Sequence, residues 1–429
     1  MPTRSLSDPS RLRTVVIDDD PTGTQCATGV EVLFAWEREE LVRALRAASS
    51  VYVLTNTRSV DEPAAVALVR EIRENAIAAA DELGCEVQFV LRGDSTLRGH
   101  VFAEAEQFMG AESLLVFVPA FPAGGRTTVG GVHYVEVGGR NTPANETEFA
   151  GDPVFPFTGR TLVEYVREKS DREPLAVSLE TVRRDGLSER LLAAPAGAVI
   201  LPDAEVDEDI SRIAAAIVEA RGLGRDIVVR GGAPIAAALA GVVSTVPFVP
   251  DVASRRVLLV CGSHTLAASA QLRAVEEVWG PMAVLDTDAA LREPRAAGHE
   301  LAVRAAGALR EGGGLAAIAT ERARRTSHDT LEHGRRVMEA LMTAVVELAP
   351  EADLVVSKGG ITSAEIARVG IGASSALVLG QIVAGVSVWR MTDRSGREVD
   401  LVVVPGNVGG DDTLVDILDR YAVPARTLG

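Results

Sequence analysis

Arg13-Thr-Val-Val-Ile-Asp-Asp-Asp-Pro-Thr-Gly-Thr24 sets a short β-branched run directly against three carboxylates, a proline and a glycine. Arg13–Ile17 reads as a strand, and Asp18–Thr24 as the loop at its end. The same rhythm recurs. Val51–Thr55, Val87–Leu91, Leu114–Val118, Ala198–Leu201 and Asp226–Val229 are further apolar runs, and Glu62–Leu83, rich in Ala, Glu and Arg, reads as a helix ending at Gly84. Apolar runs alternating with helices predict an α/β fold, each sheet mostly parallel with helices on both faces.

A chain of 429 residues exceeds the ~250–300 at which one core stops growing, so two domains are expected. Pro247 and Pro250, in Val246-Pro-Phe-Val-Pro-Asp-Val-Ala-Ser254, mark the boundary, because proline stiffens a linker and ends regular structure. The expected division is 1–246, a linker over 247–254, and 255–429. Beyond it come a strand Val257–Val260, a helix from about Thr265, a helix Thr330–Leu348 and a strand Leu354–Val356. Further strands are expected within Ser374–Met391 and at Leu401–Val404, then a helix Asp412–Tyr421. Asn141–Pro156, broken by Pro143, Gly151, Pro153 and Pro156, is a long excursion of the kind more often functional than decorative.

Composition narrows the function. A net charge of −17 argues against a protein built to neutralise nucleic-acid backbones, although a few local donors suffice for a small phosphorylated ligand. Cys26, Cys85 and Cys261 are widely spaced and form no CxxC pair, which suits a reducing compartment. Met1–Arg13 has no signal-peptide core, and no window approaches the ~18 apolar residues of a membrane span. The expectation is a cytoplasmic protein with no membrane and no nucleic-acid partner; a homodimer is admitted.

The unusual polar clusters fall just after strands, at the edge where open α/β sheets bind ligands. Asp18-Asp19-Asp20 places adjacent carboxylates that repel one another unless they meet cations or hydroxyls. Thr55-Asn56-Thr57-Arg58 brings a guanidinium fork suited to a carboxylate. In Arg92-Gly93-Asp94-Ser95-Thr96-Leu97-Arg98-Gly99, Asp94 or Ser95 can simply cap the following helix. Alternatively that helix N-terminus, Arg92 and Ser95 hold an anion while Asp94 handles a proton.

Three glycine-bearing loops follow strands in the second half. They are Cys261-Gly262-Ser263-His264-Thr265, the stretch Ser357–Glu365, and Pro405-Gly406-Asn407-Val408-Gly409-Gly410. Thr362 and Glu365 are spaced as a capping box. Such turns let backbone N–H groups approach phosphates, and three of them point to a nucleotide. No GxxxxGK[ST] and no GxSxG occur, the dinucleotide fingerprint is missing, and His328 and His333, five apart, do not share a helical face for zinc.

Asp19-Asp20-Pro21-Thr22-Gly23, the Asp94–Gly99 block, the Pro119–Gly125 loop, Gly359-Gly360-Ile361-Thr362-Ser363 and Pro405-Gly406-Asn407 together resemble the four-carbon acid sugar kinase family, in its order and over almost the whole chain. The resemblance implies an N-terminal acid-sugar domain and a C-terminal nucleotide domain. It implies transfer of the γ-phosphoryl group of ATP, with Mg2+, to the terminal hydroxyl of threonate, erythronate or 3-oxo-tetronate. Substrate contacts would then be Asp19, Asp20, Arg58, Arg92, Gly93, Asp94 and Ser95, with Asp94 and Asp20 as the catalytic carboxylates. Nucleotide contacts would be Ser263, Gly359, Gly360, Ile361, Thr362, Ser363, Gly406 and Asn407; no metal ligands are assigned. The sequence departs from the family pattern in Pro21, where leucine is usual, and in Ile361, where an acid is usual. A sensor that binds a sugar acid and a nucleotide without turnover, or a dehydrogenase on a doubly wound sheet, are the rival readings.

Overall fold

The computed structural model describes residues 11–251, 256–310, 314–323 and 331–424. Residues 252–254 of the expected linker, Thr330 and His328 lie outside them. One compact unit ends at Val243 and a second begins at Ser244.

The first unit carries β1 (Leu12–Asp18), β2 (Glu31–Leu33), β3 (Ser50–Leu54), β4 (Glu86–Arg92), β5 (Leu114–Val118), β6 (Arg126–Val129), β7 (Val132–Val137), β8 (Arg140–Pro143), β9 (Pro174–Val177), β10 (Val199–Pro202) and β11 (Ile227–Gly231). The order β2-β3-β1-β4-β11-β5-β10-β9 forms one sheet in which every described pairing is parallel. Every residue of β3, β5 and β11 is buried, as a strand covered on both faces requires. The helix Glu62–Leu83 shows why the local pattern folds as it does. Asp61 caps its start by accepting from the Ala64 N–H at 3.0 Å, and Ala65, Val69, Ile72, Ala76 and Ala79 bury one stripe. It stops at Gly84, whose φ of 62° is the left-handed conformation glycine adopts freely.

β6, β7 and β8 form a separate antiparallel sheet. The excursion thus begins as a strand, because Gly130-Gly131 and Gly138-Gly139, all at positive φ, make two tight hairpin turns. The Asp203 carboxylate accepts from both N–H groups of the first turn at 2.9 Å.

The second unit carries β12 (Val257–Cys261), β13 (Ala283–Leu285), β14 (Leu315–Thr320), β15 (Leu354–Lys358), β16 (Ser375–Val383), β17 (Val386–Thr392) and β18 (Glu398–Val404). β13, β14, β12, β15 and β18 run parallel in that order, and β17 and β16 extend the sheet antiparallel. Val257, Leu259, Leu354, Val356, Val402 and Val404 pack its core with Leu272 and Val275 of the helix Leu266–Trp279 and Leu414 and Ile417 of the helix Thr413–Arg420.

Two local expectations fail. The helix after Arg92–Gly99 begins only at Val101, with no side-chain cap, so neither Asp94 nor Ser95 caps it. The helix at the glycine loop begins at Gly360, which places Thr362 inside it and buried rather than at its cap. Gly359, at φ 118°, turns the chain into that helix and moves its start forward.

Candidate functional site

In the first unit the parallel register brings the strand ends together. Asp18 stands opposite Leu54 on β3 and Arg92 on β4, and Arg92 stands opposite Gly231 on β11. The loops are knitted at the main chain: the Thr55 N–H donates to the Asp18 carbonyl at 2.8 Å, and the Gly93 N–H to that of Gly231 at 2.7 Å. The carboxylates and guanidinium groups expected from separate motifs therefore meet at one sheet edge.

Arg92 is 1% exposed and lies beneath the triple-aspartate turn. It donates to Asp18 at 3.1 Å, Asp19 at 3.4 Å, the Asp20 carbonyl at 2.9 Å and the Thr22 hydroxyl at 3.0 Å. Each of these oxygens is the protein's own, so both terminal nitrogens of the guanidinium hold the turn, while its buried Nε has no hydrogen-bond partner. Gly23 completes the turn, since a Cβ there would run into the Asp18 carboxylate. Arg230, fully buried on β11, reaches Asp19 at 3.1 Å and also pairs with Glu104.

Arg58 stands above this layer with its side chain 13% exposed. It pairs with Asp20 and reaches Asp94 at 3.6 Å and Asp19 at 3.8 Å. Asp94 in turn accepts from Arg98 Nε at 2.8 Å and from the Thr96 hydroxyl. Arg98 also contacts the excursion: Asp152 lies 3.7 Å away, and the Phe149 ring lies under the guanidinium at 5.1 Å.

Charge states follow from these neighbours. Burial raises Asp18 to about 7 against the pull of Arg92, and one of its oxygens has no hydrogen-bond partner. Burial also raises Asp19, over the opposing Arg58, Arg230 and Arg92. For Asp94 burial would do the same, but Arg98 and Arg58 with the Thr96 hydroxyl outweigh it and hold the carboxyl well below the usual range. Asp20 is lowered likewise: Arg58, Arg92 and Thr22 overcome its burial.

The Asp94–Ser95 turn is fastened from below by His133 and Tyr165. The Tyr165 hydroxyl donates to the Leu97 carbonyl at 2.9 Å. His133 Nε2 lies 2.8 Å from the Ser95 carbonyl and Nδ1 lies 2.9 Å from the Thr128 hydroxyl. A carbonyl only accepts, so Nε2 carries the proton and Nδ1 accepts from Thr128. Burial lowers His133 to about 4, which keeps that neutral tautomer at physiological pH.

In the second unit the three loops converge as the motifs imply. The Lys358 carbonyl accepts from the Gly262 N–H at 3.2 Å and the Ser263 N–H at 3.3 Å, and the Gly359 N–H donates to the Val404 carbonyl at 2.9 Å. The Thr265 hydroxyl donates to the Gly406 carbonyl at 2.6 Å. A Cβ on Gly406 would lie 2.7 Å from Ser263 Oγ, and one on Gly359 3.2 Å from Ser263 Cβ. Ile361 is exposed at this rim, Gly360 and Asn407 are half-buried, and Thr362 is buried beside Gly262. Ser363 is turned inward, donating to the Gly359 carbonyl at 2.8 Å with Ser357 Oγ at 2.7 Å. Arg322, two residues beyond β14, donates to the Ser263 carbonyl at 2.5 Å and to Ser269 Oγ at 3.1 Å, fixing the first loop.

Several of these residues escape the motifs. Arg230 had a signal: Val228-Val-Arg-Gly231 repeats the form of Val90-Leu-Arg-Gly93, a charged residue ending a buried strand. Arg98 sat within a quoted block without a role, whereas Glu104, His133 and Tyr165 carry nothing local that sets them apart. Among the described residues no group of three or more His, Cys, Asp or Glu side chains is arranged to hold a metal ion. No helix there is long and apolar enough to cross a membrane.

Comparison with known proteins matches each half of the chain to a domain family. A sugar-binding N-terminal domain family matches residues 14–239, and a nucleotide-binding C-terminal domain family matches residues 258–414. A D-threonate kinase of Bordetella bronchiseptica is 31% identical over 389 residues, covering 87% of this chain and 86% of its own. A D-threonate kinase of Salmonella typhimurium is 31% identical over 68% of this chain and 67% of its own, and a D-erythronate kinase of Heliobacterium modesticaldum 31% over 62% and 60%. Crystal structures of a Salmonella typhimurium LT2 protein (TM-score 0.69, 18% identity, 94% of this chain and 98% of that one) and of a Haemophilus influenzae protein (0.60, 16%, 95% and 99%) share the fold. On the domain matches and the 31% identity sustained over most of its length, the chain belongs to the four-carbon acid sugar kinase family.

Proposed function

We propose that the protein transfers the γ-phosphoryl group of ATP to the terminal hydroxyl of a four-carbon sugar acid of the threonate, erythronate or 3-oxo-tetronate type. The observation that carries the acid site is Arg58, a partly open guanidinium held between Asp20 and Asp94 at the sheet edge. Its fork takes the carboxylate of the acid, and Asp20 and Asp94 accept from its hydroxyl groups. Arg92, with both terminal nitrogens engaged, acts one layer down by fixing the aspartate turn.

Asp94 accepts the hydrogen bond of the reacting hydroxyl and orients it. Its acidity makes it a weak proton acceptor in the ground state. Phosphoryl transfer passes through a loose transition state, so the hydroxyl proton leaves late and orientation is the larger demand. The tight turns at Gly262, Gly359 and Gly406 around Ser263 suit close approach of backbone to phosphates, and the residues 255–429 supply the nucleotide site. Magnesium, when bound, neutralises charge on the phosphates. The donor set fits an ion carried by the nucleotide with few protein carboxylates, since the described residues form no metal cage of their own. We place the reaction in the cytoplasm, where Cys26, Cys85 and Cys261, all free, would stay reduced.

The test is ADP release measured with ATP and Mg2+ in the presence of D-threonate, L-threonate, D-erythronate and the 3-oxo acids in turn. One acid should raise the rate far above the acid-free background. A background rate with every acid, from protein that binds ATP, would reject the kinase reading.

A further inference from the structure

The second unit buries a cation that its own chain does not neutralise. Lys358, the last residue of β15, is 0% exposed. Its Nζ donates to the Pro405 carbonyl at 2.8 Å and the Val408 carbonyl at 3.1 Å, and among the described residues it makes no ion pair. Buried Arg92 and Arg230 in the first unit, by contrast, each meet carboxylates. An ammonium taken out of water without a counter-charge carries a large desolvation penalty.

Its position is equally specific. The Lys358 carbonyl holds the N–H groups of Gly262 and Ser263, its ammonium holds the Pro405–Val408 loop, and the next residue is Gly359. One residue therefore ties together the three loops that form the nucleotide reading. We propose that Lys358 is the positioning residue of these loops and that the phosphate groups of the bound nucleotide supply the counter-charge its buried ammonium lacks. This rests on the nucleotide site proposed above and adds to it a coupling between nucleotide binding and protonation.

Of the titratable groups near these loops, His264 of the first loop has its Nε2 3.5 Å from the Thr320 hydroxyl. From β12 Lys358 is faced by the Cys261 thiol, which burial pushes up; from the helix Leu266–Trp279 the neutral Gln271 amide shares the Val408 carbonyl. Arg322 reaches Cys261 at 3.8 Å, and the loop's acids, Asp411 and Asp412, are exposed. Burial lowers Lys358 to about 7 in the protein alone. A phosphate anion beside it favours the charged form, so binding takes up a proton at pH 7.5.

Calorimetric titration of the full-length protein with Mg–ADP at pH 7.5, in buffers of different ionisation heat, reads this directly. Uptake of roughly 0.7 proton per ADP is expected, with affinity falling roughly tenfold from pH 7 to pH 8.5. Lys358→Met should abolish the uptake and weaken ADP about tenfold or more, whereas Cys261→Ser should keep the pH dependence. Binding without proton uptake and with flat affinity in the intact protein would overturn the proposal even if Lys358→Met does not fold. So would a pH dependence that persists in Lys358→Met or vanishes in Cys261→Ser. Failure of the intact protein to bind ADP at any pH would instead reject the nucleotide reading itself.

Discussion

Asp18→Asn separates the charge of the buried carboxyl from its shape. Asp18 is 0% exposed, donors reach only one of its oxygens, and burial raises it from 3.8 to about 7. A carboxyl raised in the folded state holds a proton that the unfolded chain has shed. Its contribution to stability is therefore present at low pH and lost as pH climbs from 3.8 through 7. Between pH 6 and pH 8 that loss is about 1.4 kcal/mol, one unit of titration at 1.36 kcal/mol each. Asparagine keeps the acceptor for Arg92 and never ionises. Whatever fixed cost its amide brings, the variant should gain about 1.4 kcal/mol on the parent as pH rises from 6 to 8. For a unit of this size that is a relative shift of about 3–6 °C in the unfolding midpoint. Scanning calorimetry of both proteins at the two pH values checks it, with pH 6 chosen to stay clear of the isoelectric point near 4.9. A difference between the two proteins that does not change with pH would show that Asp18 is ionised throughout and refute the reasoning.

Arg92→Met should destabilise the first unit by about 3–5 kcal/mol, measured by denaturant unfolding, because it strands the carboxylates of Asp18 and Asp19. Arg58→Ala should raise KM for the acid by about 10–100-fold and change kcat less, since charge-assisted bonds of about 1.5–3 kcal/mol bind ground and transition states alike. Asp94→Asn should lower kcat by about 10²-fold, the scale of misplacing a reacting group that Asp94 orients. Because Asp94 stays ionised well below neutrality, any inflection in the parent's kcat profile between pH 6 and 8 should survive in that variant. Gly406→Val should raise KM for ATP, as its Cβ would displace Ser263; unchanged ATP kinetics in folded protein would remove that loop from the site.

The strands lining the edge were legible because they are continuous apolar runs, and Leu114–Val118 appears with the expected limits, as does the amphipathic helix Glu62–Leu83. β2 was not, having only three residues, and β6–β8 were hidden by polar strands whose Gly-Gly turns went unread. The site was legible as a set of strand-end loops but not as a circuit. The motifs name Asp20, Arg58 and Asp94 and give no hint that Arg58 bridges the two acids. Nor does any pattern show that Arg92 faces inward, because local sequence sets neither burial nor partners for a side chain at a strand end. His133 and Glu104 reach their partners across 38 and 126 residues of chain, beyond any periodicity.

The central claim is that one chain moves a phosphoryl group from ATP to the terminal hydroxyl of a four-carbon acid. Phosphorus NMR of a reaction containing ATP, Mg2+ and the best acceptor acid tests it most directly. The account predicts a new phosphomonoester, coupled to the terminal methylene protons and growing in step with ADP. Binding of both ligands with no such signal would contradict it and leave a protein that senses the acid and the nucleotide without joining them.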